Sequence, residues 1–433
     1  MKFRNSVVAA TLSAALLFGT AACGASSEAP EESSGTFTVW WYEKPESAMG
    51  VAWAKALEIF KEENPNVTVK FEQKSFDQIR ETAGMILTSD AAPDLMEYNK
   101  GNSNTGRLAS QGLITDLSDA VKEYGWDEKI PDSIEATARY TDGLMAGEEW
   151  YGVPNYGEFV PLYFNKTLLE ENNIPVPTTL EELEAAFAAF KAKGTTPLGL
   201  SGAEFPAHQL WYQLALTQAD QNWVSAYQLY EGDYTFADGP AKFGLDTLRT
   251  WTDEGYVDPA SSSLKAEDIG TLFAKGETPF AYQGVSWFGR FMKEDLDFEW
   301  SVIPFPGTEN YVGSSGHLWT VPEISKNKEL AYKFIDITMR PEVQAVLGNN
   351  GGLPVAANEA DLTDPKSREM TDAFNKVITE GTLAYYPDWP VPGFYDELVA
   401  AGQSVLNKSK TTDQIAADLD KKYQAGLAEL DLK

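Results

Sequence analysis

The stretch FTVWWYEKPESAMGVAWAKALEIFKEENPNVTVKFEQ, residues 37–73, decides the fold class. Phe37-Thr38-Val39 alternates apolar and polar side chains with the period of a strand. Between Glu46 and Glu63 the period changes: Met49, Trp53, Ala56, Leu57 and Phe60 recur on one helical face until Asn64-Pro65 stops the turn. Val67, Val69 and Phe71 return to alternation. Strand, helix and strand in so short a span predict a mainly parallel sheet with helices covering both faces.

The same grammar continues outward. Phe76 to Leu87 is helical in period, and Pro93-Asp94-Leu95-Met96 opens another short strand. Thr179 with Glu182 forms a capping box ahead of Leu183, Phe187 and Phe190, and Gly194 ends that helix. Lys328 to Met339 is a further helix stopped by Pro341, and Thr411 with Gln414 caps a C-terminal one carrying Ile415 and Leu419. One doubly wound sheet rarely needs about 400 residues, so the chain reads as two α/β lobes. Short Pro/Gly-rich segments at 152–157, 303–313 and 349–354 suit hinges where the chain crosses between lobes more than once.

Composition excludes several functions. With 65 acidic against 34 basic side chains and a net charge of −31, the field repels nucleic-acid phosphates. The single cysteine, Cys23, forbids an intrachain disulfide and any thiolate cluster, and His208 and His317 are the only imidazoles. Zinc hydrolysis, haem ligation by paired histidines and Cys-His catalysis are therefore disfavoured, and no G-x-S-x-G elbow supports a serine triad. No cofactor, metal site or catalytic residue is expected.

Lys2 and Arg4 precede an apolar run from Val7 to Phe18 and then small residues, which reads as an export signal over residues 1–22. The run is shorter than the roughly 20 residues that span a bilayer. Ala21-Ala22-Cys23-Gly24 resembles the lipobox of bacterial lipoproteins, which implies diacylation of Cys23; Thr20, where that pattern usually has leucine, leaves ordinary cleavage as the alternative. Residues 23–36 are rich in Ser, Glu, Pro and Gly and read as a lipid-anchored linker.

Larger segments carry a second resemblance. Glu149-Trp-Tyr-Gly-Val-Pro-Asn-Tyr-Gly-Glu158, Leu162-Tyr-Phe-Asn-Lys166 and Pro177-Thr-Thr-Leu-Glu-Glu-Leu183 are similar to the crossover region of bacterial extracellular solute-binding proteins. Leu272 to Trp287, Ser315-Gly-His-Leu-Trp-Thr-Val321, Ser325 to Phe334 and Asn350-Gly-Gly-Leu-Pro354 continue the similarity over most of the mature chain. The whole resembles the carbohydrate-type, maltose-binding-protein-like branch of ABC importer receptors. This implies an α/β fold of two lobes around a ligand cleft with several hinge crossovers: 37–156 with 306–350 as the N-terminal lobe, and 157–305 with 351–433 as the C-terminal lobe. It also implies a monomer without catalysis that closes on an oligosaccharide and delivers it to the permease, and the number of loop aromatics favours a di- to tetrasaccharide. Its place is the extracellular or periplasmic face, held to the membrane by the lipid anchor only.

Sugars present C–H faces that pack on aromatic rings and hydroxyls that need directed partners, and 12 Trp with 19 Tyr fit that demand. Trp53 and Trp251 lie on apolar helical faces and read as core. Trp41, Glu43 and Lys44 follow the first strand at the carboxyl edge where open α/β sheets bind ligands. Asn99, Lys100 and Asn102 follow the Leu95 strand at the equivalent edge, with a solvated turn as the competing reading. By the resemblance, Tyr156 and Glu158 fall at the crossover, and Glu158 and Glu204 match sites that accept hydroxyl hydrogen bonds, against a surface acid for each. Trp287 matches the family's sugar-stacking tryptophan. His317 and Trp319 sit in a loop the family uses at the cleft, with a core histidine as alternative. Tyr386, Asp388, Trp389 and Phe394 occupy a Pro-punctuated loop where exposed aromatics suggest binding.

Two other readings stay open. A secreted glycosidase needs two carboxylates flanking a scissile bond, and 65 acids do not exclude it, although no glycosidase motif is recognisable. The same receptor fold with an acidic, aromatic cleft also suits a polyamine.

Overall fold

The computed structural model describes residues 35–356 and 361–430. The signal at 1–22, Cys23 and the linker up to Ser34 lie outside the described residues.

The first strand, Gly35–Trp41, buries Phe37, Val39 and Trp41 on one face and Trp40 on the other, so apolar layers cover it on both sides. Helix Ala48–Glu63 begins where the Ser47 side chain accepts the Gly50 N–H at 3.0 Å. It lays Met49, Ala52, Trp53, Ala56 and Phe60 onto the sheet, with Phe60 stacked on Phe37 at 5.2 Å. Strands Val67–Gln73, Gly35–Trp41 and Leu95–Tyr98 are parallel neighbours, as the strand-helix-strand reading requires. The sheet then departs from that reading: Leu318–Thr320 and Val153–Pro154 complete five strands by antiparallel pairing.

A second sheet orders Leu198–Gly199, Phe280–Tyr282, Leu162–Asn165 and Trp300–Ile303, and only its first pair is parallel. The cause is common to both sheets. A strand that enters a lobe from the other lobe runs against strands that begin and end inside it. Helices Pro206–Leu216, Gly239–Asp253, Phe394–Leu406 and Thr412–Glu429 close the second core around Trp211, Tyr227, Phe236, Trp251 and Phe394. The last of these helices opens with the capping box read from Thr411 and Gln414.

The chain passes from the first sheet to the second through Gly157–Phe159 and returns through Gly313–Ser315, and these two strands pair antiparallel. A third passage lies beside them, with Tyr156 bridged to Pro354 and the Gly157 N–H donating to Leu353 O at 2.8 Å. The return lies later than the 305–306 boundary that the resemblance implies. Thr308 Oγ1 donates to Leu216 O at 3.0 Å and the Val312 N–H to Gln213 Oε1 at 2.9 Å, so the second core keeps the chain up to Val312. Among the described residues no helix is long and apolar enough to cross a membrane.

Candidate functional site

The crossings bring the carboxyl edges of the two sheets face to face. After Trp41 the chain turns at residues 42–47 and folds back over the first helix, because Gly50 has no side chain: a Cβ there would lie 2.2 Å from Lys44 O. That return turns Glu43 inward. Its Oε1 accepts from the Tyr156 hydroxyl at 3.3 Å and stands 3.5 Å from His317 Nε2. His317 is held there by Gly316, whose N–H donates to Tyr156 O at 2.7 Å and whose missing Cβ lets the loop cross the Tyr156 ring. Its imidazole packs edge-on against Tyr42 at 4.4 Å.

Beneath Glu43 lies a second carboxyl, Glu97, 1% exposed in the middle of strand Leu95–Tyr98. It accepts from Trp53 Nε1 at 2.8 Å and from the Tyr42 N–H at 3.1 Å. Burial first, and then repulsion from Glu97 and Glu158, pushes Glu43 up to about 8. Burial likewise pushes Glu97 up to about 7 against the pull of its donors. Burial, with the nearby Lys100 charge, holds His317 well below its ordinary value and therefore neutral.

One buried cation answers these acids. Lys100, 1% exposed, reaches Glu158 Oε2 at 3.1 Å. Its ammonium lies 5.7 Å from the Tyr386 ring centre and 5.3 Å from that of Trp389, so the aromatic pair from the C-terminal loop and the acid from the crossover converge on one point. Asp388, between those aromatics, is pushed up to about 6 by burial, against the attraction of Lys100 and Arg80. The cleft thus gathers carboxyls, one ammonium, phenols and ring faces, the inventory for holding a polar solute by directed hydrogen bonds and stacking.

Of the residues singled out from sequence, Glu43, Tyr156, Glu158, His317, Asp388 and Trp389 come together. Asn99 supports them: its Oδ1 accepts the Lys100 N–H at 3.0 Å. Lys44 stands at the rim, its side chain 65% exposed and 3.7 Å from Glu267 of the second lobe. Five others do not join the cluster. Trp41 stacks on Phe71 at 5.1 Å within the first core. Trp319 is fully buried between Trp53 and Phe334, because it sits inside a strand rather than in a loop. Phe394 is fully buried between Phe236 and Tyr423. Trp287 lies against Gly270 and Phe291 with Arg290 4.3 Å over its ring, apart from the cluster around Lys100. Glu204 accepts the Ala266 N–H at 2.9 Å and so caps the N-terminus of helix Ala266–Ala274.

Glu97 escaped the sequence reading. An acid inside the apolar run Leu95-Met96-Glu97-Tyr98 was the available signal, since strands buried on both faces tolerate a carboxylate only with partners. Among the described residues no group of three His, Cys, Asp or Glu is placed to hold a metal.

Residues 43–345 match the family described as bacterial extracellular solute-binding protein. A probable sugar-binding periplasmic protein of Rhizobium meliloti is 22% identical over 228 residues, 51% of this chain and 52% of that one. The chain thus spans about half the length of that relative. A maltooligosaccharide ABC transporter solute-binding lipoprotein of Streptococcus pneumoniae is 22% identical over 353 residues, 76% of this chain and 78% of its own. Among solved structures, a chitin oligosaccharide binding protein superposes with a TM-score of 0.78 at 20% identity, covering 91% of this chain and 99% of that one.

Proposed function

Because the chain belongs to the family of bacterial extracellular solute-binding proteins, we propose that it is the capture component of an ABC importer that closes on an oligosaccharide and hands it to a membrane permease. The observation that carries this reading is the convergence of Glu158, Lys100, Tyr386 and Trp389 between the two lobes. Ring faces there suit the C–H faces of a sugar, and the carboxyls suit its hydroxyls, each charge-assisted hydrogen bond contributing about 1.5–3 kcal/mol. The three adjacent crossings are the hinge about which the lobes close. Cys23 carries the lipid that holds the protein on the outer face of the membrane, and family members act as receptors rather than enzymes, so no reaction is assigned to the cluster.

A thermal-shift screen against galactosides, fructosides, glucosides and xylosides tests the reading, since a ligand at 100 times its Kd adds about 2.7 kcal/mol. One charge observation supports a second reading. Glu43, Glu158 and Asp388 lie in the field of Lys100, the one buried lysine among the described residues, with Glu97 beneath Glu43, a balance that also suits a polyamine. Spermidine in the same screen separates the two: stabilisation by spermidine and by no sugar selects the cationic cargo.

A further inference from the structure

At the carboxyl edge of the second sheet, four side chains hold hydrogen-bonding atoms that no described residue engages. Ser201 and His208 are fully buried, and neither Ser201 Oγ nor either ring nitrogen of His208 has a partner. Gln209, 6% exposed, leaves Oε1 unpaired. Gln283, fully buried, donates Nε2 to Ala266 O at 2.9 Å while its Oε1 stays unpaired.

Backbone register groups them. Gly199 pairs with Ala281 in parallel, and Ser201 and Gln283 each lie two residues beyond that pair, past the carboxyl ends of the two strands. The Ala207 N–H donates to Ser201 O at 3.0 Å, which carries His208 and Gln209 over the same edge, and the Tyr282 hydroxyl donates to Gln209 O at 3.4 Å. The edge faces the first lobe: Tyr282 pairs with Leu162, where the chain arrives from the first crossing. The Tyr395 ring, 5.6 Å from His208, lies 5.3 Å from the Arg80 guanidinium of the first lobe.

Buried polar atoms without partners are costly and uncommon, and five of them on four side chains at one sheet edge call for a common explanation. We propose that Ser201, His208, Gln209 and Gln283 form the second lobe's half of the ligand site and hydrogen-bond the hydroxyls of an uncharged sugar ring. This rests on the oligosaccharide reading above and narrows it. Burial holds the His208 imidazole down to about 3, so it offers one donor and one acceptor rather than a charge. Ser201 can donate and accept, and the two glutamine oxygens accept. The set offers acceptors from the glutamines together with donor and acceptor atoms on Ser201 and His208, and no charge, which matches hydroxyl groups that both donate and accept.

Ser201→Ala and Gln209→Met each delete an atom that the ligand-free fold does not use and keep nearly the same volume. Both variants should melt at or above the wild-type temperature, while affinity for the oligosaccharide that stabilises the wild type falls roughly tenfold or more per lost hydrogen bond. Calorimetric titration with that oligosaccharide and thermal melts on the same preparations read both quantities. Unchanged affinity in both variants overturns the assignment of these residues, as does a melting point lowered by several degrees with binding intact. A wild type that responds to no sugar overturns the oligosaccharide reading itself, so the two failures are distinct.

Discussion

Replacing Lys100 with methionine tests whether the two lobes meet around a desolvated ion pair. The ammonium is 1% exposed and 3.1 Å from Glu158, its attraction also opposes the upward shift of Glu43, and Glu97 lies in the same field. Removing one member of a buried pair leaves the other charge uncompensated and typically costs about 3–5 kcal/mol, against about 1 kcal/mol or less for an exposed pair. Loss of the contacts with Tyr386 and Trp389 adds to this. Urea denaturation of Lys100→Met at neutral pH, followed by tryptophan fluorescence and circular dichroism together, should therefore show a loss between these two ranges, because the Glu158 side chain keeps 18% exposure. Lys100→Met combined with Glu158→Gln should recover much of it, because the stranded carboxylate is gone. A single-variant loss below about 1 kcal/mol, or a double variant no better than the single, would refute the reasoning.

Stability should fall as pH rises from about 6.5 to 8. Glu43, up to about 8 from 4.5, and Glu97, up to about 7, bind protons in the folded state that the unfolded chain has released, so their contribution is full below about 4.5 and is lost as pH rises from there to about 8, unopposed by the histidines above 6.5. Below 6.5 the two histidines oppose the trend, since burial lowers His208 to about 3 and His317 well below its ordinary value while the unfolded imidazoles take up protons. Melting temperatures in matched ionic strength check this, with Glu43→Gln flattening the slope; a flat or rising wild-type profile contradicts it. Trp319→Ala and Phe394→Ala should each cost about 3–5 kcal/mol of folding stability in chemical denaturation, with affinity in the folded fraction retained, because both rings are fully buried in the cores. Trp287→Ala should behave the same way, its ring being packed on Gly270 and Phe291; a large loss of sugar affinity at wild-type stability would return it to the site.

What the sequence revealed and what it hid divide along physical lines. The strand at Phe37 and the helices after Ser47, Thr179 and Thr411 were legible because they rest on local periodicity and capping. Strand direction was not legible: Leu162–Asn165 and Leu318–Thr320 run antiparallel to their neighbours because the chain enters each lobe from the other, which no local pattern encodes. Aromatic residues were the least readable part of the site. Trp319 and Trp389 both looked like loop residues, yet one is a strand residue between Trp53 and Phe334 and the other meets Lys100 from the opposite lobe. Only packing separates them. Glu97 was missed for the opposite reason, since its apolar neighbours disguised a carboxyl held by Trp53 and the Tyr42 backbone.

The most direct test of solute capture between the lobes is a crystal structure with the oligosaccharide that most raises the melting temperature. The account predicts a sugar ring over Trp389 and Tyr386, with hydroxyls in hydrogen-bond contact with Glu158 from one side and Gln209 or Gln283 from the other, and Lys100 moved off the aromatic faces. Sugar density away from this cleft, or contacts to one lobe alone, would contradict it.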